Sequence, residues 1–425
     1  MKKPESRHAL YINTKNCVGC VHCLTACPTK AIRIRDGKAR IIDELCIDCG
    51  ECMRFCPKDA IESHTTSFSD LSSFRYKVAI PATVLYGQFE NSISPNEILF
   101  ALRRVGFDSV YELSTICELN AAATERFLKS HPRPRPFIAS TCPVVVRLIQ
   151  RRYPTLCELI VPIEPPREIA AKILRANLPR VLKVPAKDIG IIHITPCPAK
   201  MVSINFPVSL EKSYLDGAIS IRDIYQPVLQ ALRQSRDDAI MCRLFPETIF
   251  SGTGLGTALS GGESSALRKF RTVAVSGIQD TIRVLNQVEL GLLKDVDLLE
   301  CMVCPDGCVG GPLAVENRFL AKSRILRQVS LMGERSVVDE SDISALYLKD
   351  FLSFGHALKP LRATPLDTNP ARAIQKARQR DHLQKQLPGK DCGACGAPDC
   401  RTLADDIVRG LASLTDCPFM GKENR

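Results

Sequence analysis

The sequence predicts an α/β protein built on largely parallel sheets flanked by helices, with a small cysteine-rich module at each end. Two observations carry this. Between residues 70 and 360, short apolar runs alternate with amphipathic segments of helical period, the pattern of strands covered by helices. The 20 cysteines of this 425-residue chain gather mostly into groups with metal-ligand spacing. The length supports several domains and a sizeable core. With 45% hydrophobic and 24% charged residues the composition is that of a globular protein, and no apolar run reaches the length of a membrane span.

In the middle region "YKVAIPATV" (76–84), "PFIAST" (136–141), "DIGIIHITPC" (188–197) and "TVAVSG" (272–277) read as buried strands. "PNEILFALRRVG", "CELNAAATERFLKS", "PPREIAAKILRANL" and "IRDIYQPVLQALR" read as helices. In parallel sheets ligands bind beyond the carboxyl ends of the strands. Four thiols stand there: Cys142 in "ASTCP", Cys197 in "TPCPAK", and Cys304 and Cys308 in "CPDGC".

At the N-terminal end, "CVGCVHCLTACP" (Cys17, Cys20, Cys23, Cys27) and "CIDCGECMRFCP" (Cys46, Cys49, Cys52, Cys56) repeat one C-x2-C-x2-C-x3-C-P pattern. Three cysteines two residues apart wrap a 4Fe-4S cube, and the fourth, held before a proline, reaches the neighbouring cube. Cys17, Cys20, Cys23 and Cys56 are therefore expected to hold one cluster, and Cys46, Cys49, Cys52 and Cys27 the other. Each motif leads into a short strand, "AIRI" and "AIES", giving an α+β bacterial-ferredoxin module over residues 1–68. Zinc is the bland alternative, but zinc motifs close on four ligands without this interlocked repeat.

At the C-terminal end, "DCGACGAPDCRTLADDIVRGLASLTDCP" supplies Cys392, Cys395, Cys400 and Cys417. An amphipathic helix after Cys400 returns the chain so that Cys417 can close the site, and the small residues between the first cysteines leave room for a cube. The stretch resembles the small iron-sulfur domain with a C-G-x-C-G-x-P-x-C pattern, so a helical 4Fe-4S domain is expected over residues 388–425. The polar segment 361–387 reads as an exposed helical linker.

The formal charge is +11. No dense basic stripe with interleaved aromatics accompanies it, which argues against nucleic acid as partner. Four 4Fe-4S clusters, each a 2− unit with its thiolates, would bring the charge to roughly +3. Unpaired thiols suit a reducing compartment, and "MKKPESRHALYINTKNC" carries no apolar leader, so a cytoplasmic protein with no membrane partner is expected.

The three strand-end stretches "STCP", "TPCPAK" and "CMVCPDGC" resemble, in order, the three signature motifs of the iron-only (FeFe) hydrogenase catalytic domain, behind the same paired ferredoxin clusters. The resemblance implies a two-lobed catalytic domain over residues 69–360. It implies an H-cluster: a 4Fe-4S cube joined through a shared cysteine sulfur to a two-iron subsite bearing carbonyl, cyanide and an azadithiolate bridge. Cys142, Cys197, Cys304 and Cys308 would ligate the cube, with Cys308 bridging to the two irons. Gly307, Gly310 and Gly311 would let the backbone approach the metal. Lys200 would donate a charge-assisted hydrogen bond to one cyanide. Met302 would pack beside the two-iron unit, and Pro81 and Ala82 would bring backbone to the other cyanide. Implied partners are hydrogen, protons, a ferredoxin-type redox protein and the maturation proteins that deliver the two-iron unit.

The chain departs from that pattern where protons should pass. Strongly hydrogen-producing members read T-S-C-C-P, with the first cysteine relaying protons; here Thr141 takes its place, and a hydroxyl is a poor relay. Ala122 replaces one relay glutamate, while Glu125 keeps the position of the other. "GGPLAVEN" inserts Pro312 into the usual glycine run. These departures and the C-terminal cluster resemble the sensory branch of the family. The expectation is a slow, reversible hydrogenase reading hydrogen or redox state, with a signalling kinase or another regulatory protein as partner. The alternatives are a housekeeping electron-transfer hydrogenase, or a non-catalytic iron-sulfur assembly or electron-carrier relative without the two-iron subsite.

Cys117, Cys157, Cys242 and Cys301 lack motif partners and read as buried small hydrophobes. His193 reads as a satisfied core histidine, and His22 as solvent-facing. "SGTGLGTALSGGESSALRKF" lacks the context of a nucleotide loop and reads as a loop and helix start near the active-site lobe.

Overall fold

The computed structural model describes residues 8–132, 135–235, 248–333, 335–361 and 365–420. Cys242 lies outside the described residues. The chain divides into two compact units, one formed by residues 65–360 and the other by residues 6–64 together with 361–425.

In the smaller unit, β1 (Leu10–Ile12), β2 (Ile32–Arg35), β3 (Lys38–Ile41) and β4 (Ile61–Ser63) form two antiparallel pairs, β1 with β4 and β2 with β3. The β2–β3 hairpin turns at Asp36 and Gly37, both at positive φ (53° and 68°), as a tight two-residue turn that follows the strand twist requires. The short helices His22–Ala26 and Glu51–Arg54 follow the second cysteine of each motif and complete the pseudo-symmetry. The C-terminal segment adds the helices Pro370–Gln386 and Cys400–Val408. The first of these is largely exposed, with one anchored end. Its Leu383, with Leu387 just beyond it, joins Ala397, Leu403, Ala404 and Cys417 in one apolar cluster, because the C-terminal cysteine segment has too few apolar residues to bury its own helix face.

The larger unit contains two parallel sheets. Its strands are β5 (Tyr76–Pro81), β6 (Ser109–Val110), β7 (Phe137–Ile138), β8 (Ile189–Thr195), β9 (Gly217–Ser220), β10 (Thr272–Ser276) and β11 (Leu298–Met302). One sheet runs β6-β5-β8-β9 and the other β10-β11-β7. Strand β8 is buried at every residue, as a central parallel strand covered on both faces must be. The four expected helices are Pro95–Val105, Ser114–Ser130, Pro166–Leu182 and Ile221–Ser235. Strand β10 corrects the reading of "TVAVSG" as buried: it is an edge strand with Val273 and Ala274 exposed. A five-residue apolar run cannot by itself distinguish an edge from a centre. No helix among the described residues is long and apolar enough to cross a membrane.

Candidate functional site

Both sheets of the larger unit send the carboxyl ends of their strands into one cavity of about 90 Å³, several times the space one water needs. Cys142, Cys197, Cys304 and Cys308 all line it, with Lys200, Met302, Thr141 and Ala82. Pro81, the last residue of β5, is buried but is not among the lining residues.

The two Cys-Pro pairs explain how two of the thiols are held. Cys142 and Cys197 are the N-cap residues of the helices Pro143–Arg152 and Pro198–Asn205, each with proline at the first helical position. A residue before proline is pushed into extended backbone, which is also what an N-cap needs, and proline's missing N–H costs nothing at that position. Each thiol thus sits at the positive end of a helix, where a thiolate is favoured. Cys304 and Cys308 come from the loop after β11, folded tightly by Gly307 at φ 96°. A Cβ on Gly307 would meet Ser260 N at 2.5 Å, and one on Gly310 would meet Pro305 O at 2.1 Å. Glycine is required here because protein backbone crosses the loop, a reason the sequence reading did not give.

Burial pushes the thiols of Cys142 and Cys197 up, Cys197 to about 11, against the pull of Lys200. Four converging thiols, Cys197 buried and the other three half-buried, are a poor arrangement without a metal; as thiolates they would outweigh the charge of a cube and leave a 2− unit. Lys200 Nζ stands 4.0 Å from Cys308 Sγ. Arg167 lines the same cavity, and its buried Nε has no hydrogen-bond partner, while its Nη2 donates to Ser203 Oγ at 2.8 Å. His193 is only half satisfied: Nδ1 bonds Ile80 O at 2.9 Å, and the buried Nε2, on a ring that lines the cavity, has no partner. Two cationic side chains, a half-bonded imidazole and four thiols among apolar walls fit a cluster carrying anionic ligands.

Thr141 has a partner that the sequence reading missed. Its Oγ1 donates to Glu263 Oε2 at 3.3 Å. Glu263 is buried, and burial together with the charge of Glu300 raises its carboxyl to about 8. Glu300, fully buried on β11, is also raised by burial, and accepts from the backbone N–H groups of Gly261 at 2.9 Å and Ser264 at 2.8 Å. Glu125 stands apart from this line: its carboxylate is paired with Lys129 at 2.7 Å and lies 3.8 Å from Lys269, and it does not line the cavity. Glu300 left one signal in the sequence, a lone acid in the apolar run "LLECM". The stretch around Glu263 supplies Thr257, Ala258 and Glu263 to the cavity.

Residues 75–235 and 251–312 match the family described as iron only hydrogenase large subunit, C-terminal domain. The chain belongs to the iron-only hydrogenase family. In the same chain, residues 9–58 match a 4Fe-4S dicluster domain and residues 387–419 an Fe-S cluster family. This hydrogenase-family chain is similar to the periplasmic Fe hydrogenase large subunit of Nitratidesulfovibrio vulgaris, 26% identical over 365 residues, covering 72% of this chain and 86% of that one. Over a short stretch of 43 residues it is 44% identical to the corrinoid/iron-sulfur protein large subunit of Moorella thermoacetica, which is 10% of either chain. Among solved structures, a variant of the hydrogenase HydA1 from Chlamydomonas reinhardtii matches with a TM-score of 0.49 at 16% identity, over 69% of this chain and 97% of that one.

The smaller unit gathers the cysteines of the two terminal motif regions. Cys17, Cys20, Cys23 and Cys56 line one small pocket, and Cys392, Cys395, Cys400 and Cys417 another. Burial raises the thiols of Cys46 and Cys49, and the neighbouring Cys27 and Cys52 raise them further. Cys117 is buried, lines the hydrogenase-type cavity, and its thiol is hydrogen-bonded to the Thr257 side chain. Cys157 and Cys301 are buried and His22 is exposed.

Proposed function

We propose that this chain is an iron-only hydrogenase of slow turnover that interconverts hydrogen and protons to read hydrogen or redox state. The observation that carries the reading is the convergence of four thiols from three separate strand ends, with Lys200 and Met302, on one cavity whose only close hydroxyl among the described lining residues near a buried acid is Thr141. Cys142, Cys197, Cys304 and Cys308 would hold the cube, and Cys308 would bridge to a two-iron carbonyl and cyanide unit. When bound, that group supplies the splitting and formation of hydrogen.

The chain's own residues account for the pace. Lys200 places a positive charge beside Cys308, where it would hold an anionic ligand. The Thr141 hydroxyl hands a proton to, or takes one from, the Glu263 carboxyl, and Glu300 lies next in line. A carboxyl raised to about 8 is largely protonated at neutral pH with a minority ionised, and can act in either direction, which suits reversible use. The hydroxyl between it and the cavity is the slow link. In the smaller unit the two ferredoxin-type sites and the C-terminal site would hold three more 4Fe-4S clusters for exchange with a ferredoxin-type protein. The sensory assignment, and a kinase or other regulatory partner, rest on the departures at Thr141, Ala122 and Pro312. Hydrogen evolution from a reduced dye after anaerobic loading of the two-iron complex tests the reading: slow but measurable evolution supports it, and none from a fully loaded chain removes the enzyme.

A further inference from the structure

The C-terminal cysteine segment is seated on the ferredoxin-type module. Ile34 N donates to Gly396 O at 2.9 Å, and a Cβ on Gly396 would come within 2.1 Å of Ile34 O. Gly396 (φ 76°) follows Cys395, whose carbonyl accepts from Arg35 Nη1 at 3.2 Å. A Cβ on Gly393 (φ 72°) would meet the buried Leu24, between Cys23 and Cys27, at 3.2 Å. Beneath this seam Asp406 is buried and receives Arg33 Nε at 2.5 Å, Arg33 Nη2 at 3.0 Å and Arg35 Nη2 at 3.0 Å. Lys30 pairs with Asp399 at the edge. The glycines of the C-terminal motif, read from sequence as room for a cube, are where it meets the ferredoxin-type module, Gly396 at β2 and Gly393 at the helix His22–Ala26.

The same strand serves both metal sites. Ile34 lines the pocket of Cys17, Cys20, Cys23 and Cys56, and its backbone is bonded to the residue after Cys395. We propose that β2 is a bridge that fixes the C-terminal site against the first ferredoxin-type site, so that the two clusters form one electronically coupled pair rather than independent ports. Exchange across the bridge is one electron: one cluster is oxidised, its neighbour is reduced, and no bond or proton moves. Arg33 and Arg35 are positioning residues, and with Asp406 they latch the seam. Three basic side chains, Lys30 included, facing two acids also leave one positive charge between two anionic cluster sites, which offsets their mutual repulsion.

The inference rests on the reading that both sites hold 4Fe-4S clusters. The test uses the full chain, loaded anaerobically and reduced with a europium(II) chelate, read by electron paramagnetic resonance together with iron content. Cys392→Ser with Cys417→Ser should remove about four irons. It should also narrow and slow the relaxation of the remaining ferredoxin-type signals. Asp406→Asn and Gly396→Val should keep the iron and lose the same broadening. If the double serine variant loses its iron but the remaining signals are unchanged, the bridge is overturned while the cluster reading stands. If wild type holds zinc and no iron at the C-terminal cysteines, the cluster reading falls and the bridge with it.

Discussion

Thr141 Oγ1 donates to the buried Glu263 carboxyl at 3.3 Å, and both residues line the cavity of the four thiols. Replacing Glu263 by glutamine keeps the volume and the hydrogen bond but removes the exchangeable acid. Glu263→Gln is expected to lower hydrogen oxidation and evolution about 100-fold, the usual reach of one acid-base group, with cluster content unchanged. Dye-coupled assays in both directions, normalised to iron, check this. Unchanged rates would place the proton path elsewhere.

Thr141→Cys puts a group with a pKa near 8.5 in place of a hydroxyl. If the hydroxyl limits the relay, evolution should rise by about 10-fold or more. The double variant Thr141→Cys with Glu263→Gln should lose that gain, since the new thiol would have no acid behind it.

Stability should depend on pH through the same acid. Unfolded, Glu263 ionises near its ordinary 4.5; folded, it holds its proton until about 8. The folded state therefore carries the extra proton between these values, and stability falls as pH rises through that window, by up to about 1.4 kcal/mol per unit. Thermal midpoints of the anaerobic protein at pH 5.5 and 7.5 should differ less in Glu263→Gln than in wild type.

Gly310→Ala would drive a Cβ to 2.1 Å from Pro305 O, inside the loop that carries Cys304 and Cys308. The loop would have to open, at a cost of about 2 kcal/mol. Iron analysis should show loss of about four irons from the larger unit, while the ferredoxin-type sites keep theirs. Retention of all iron would show that the loop tolerates the side chain.

How much of this was legible in the sequence follows from how local each signal is. Cys142-Pro143 and Cys197-Pro198 announce themselves because cap and first helical residue are neighbours. The interlocked ferredoxin-type repeat is readable because its spacing is fixed by one cube. The pairing of Glu263 with Glu300 was not readable, since one lies in a short helix after a glycine pair, the other on a strand, and only the tertiary fold brings them together. Gly393 and Gly396 were read as space for metal because their true neighbours, Leu24 and Ile34, belong to the other end of the chain. His193 was taken as satisfied because one apolar strand cannot show that Nε2 lacks a partner.

The measurement that bears most directly on the central claim is an infrared spectrum of the anaerobic, cluster-loaded chain after addition of the synthetic two-iron complex, with and without hydrogen. The account predicts carbonyl and cyanide bands that shift under hydrogen. Absence of those bands from protein whose 4Fe-4S sites are full would contradict it, and leave an iron-sulfur assembly or electron-carrier protein in its place.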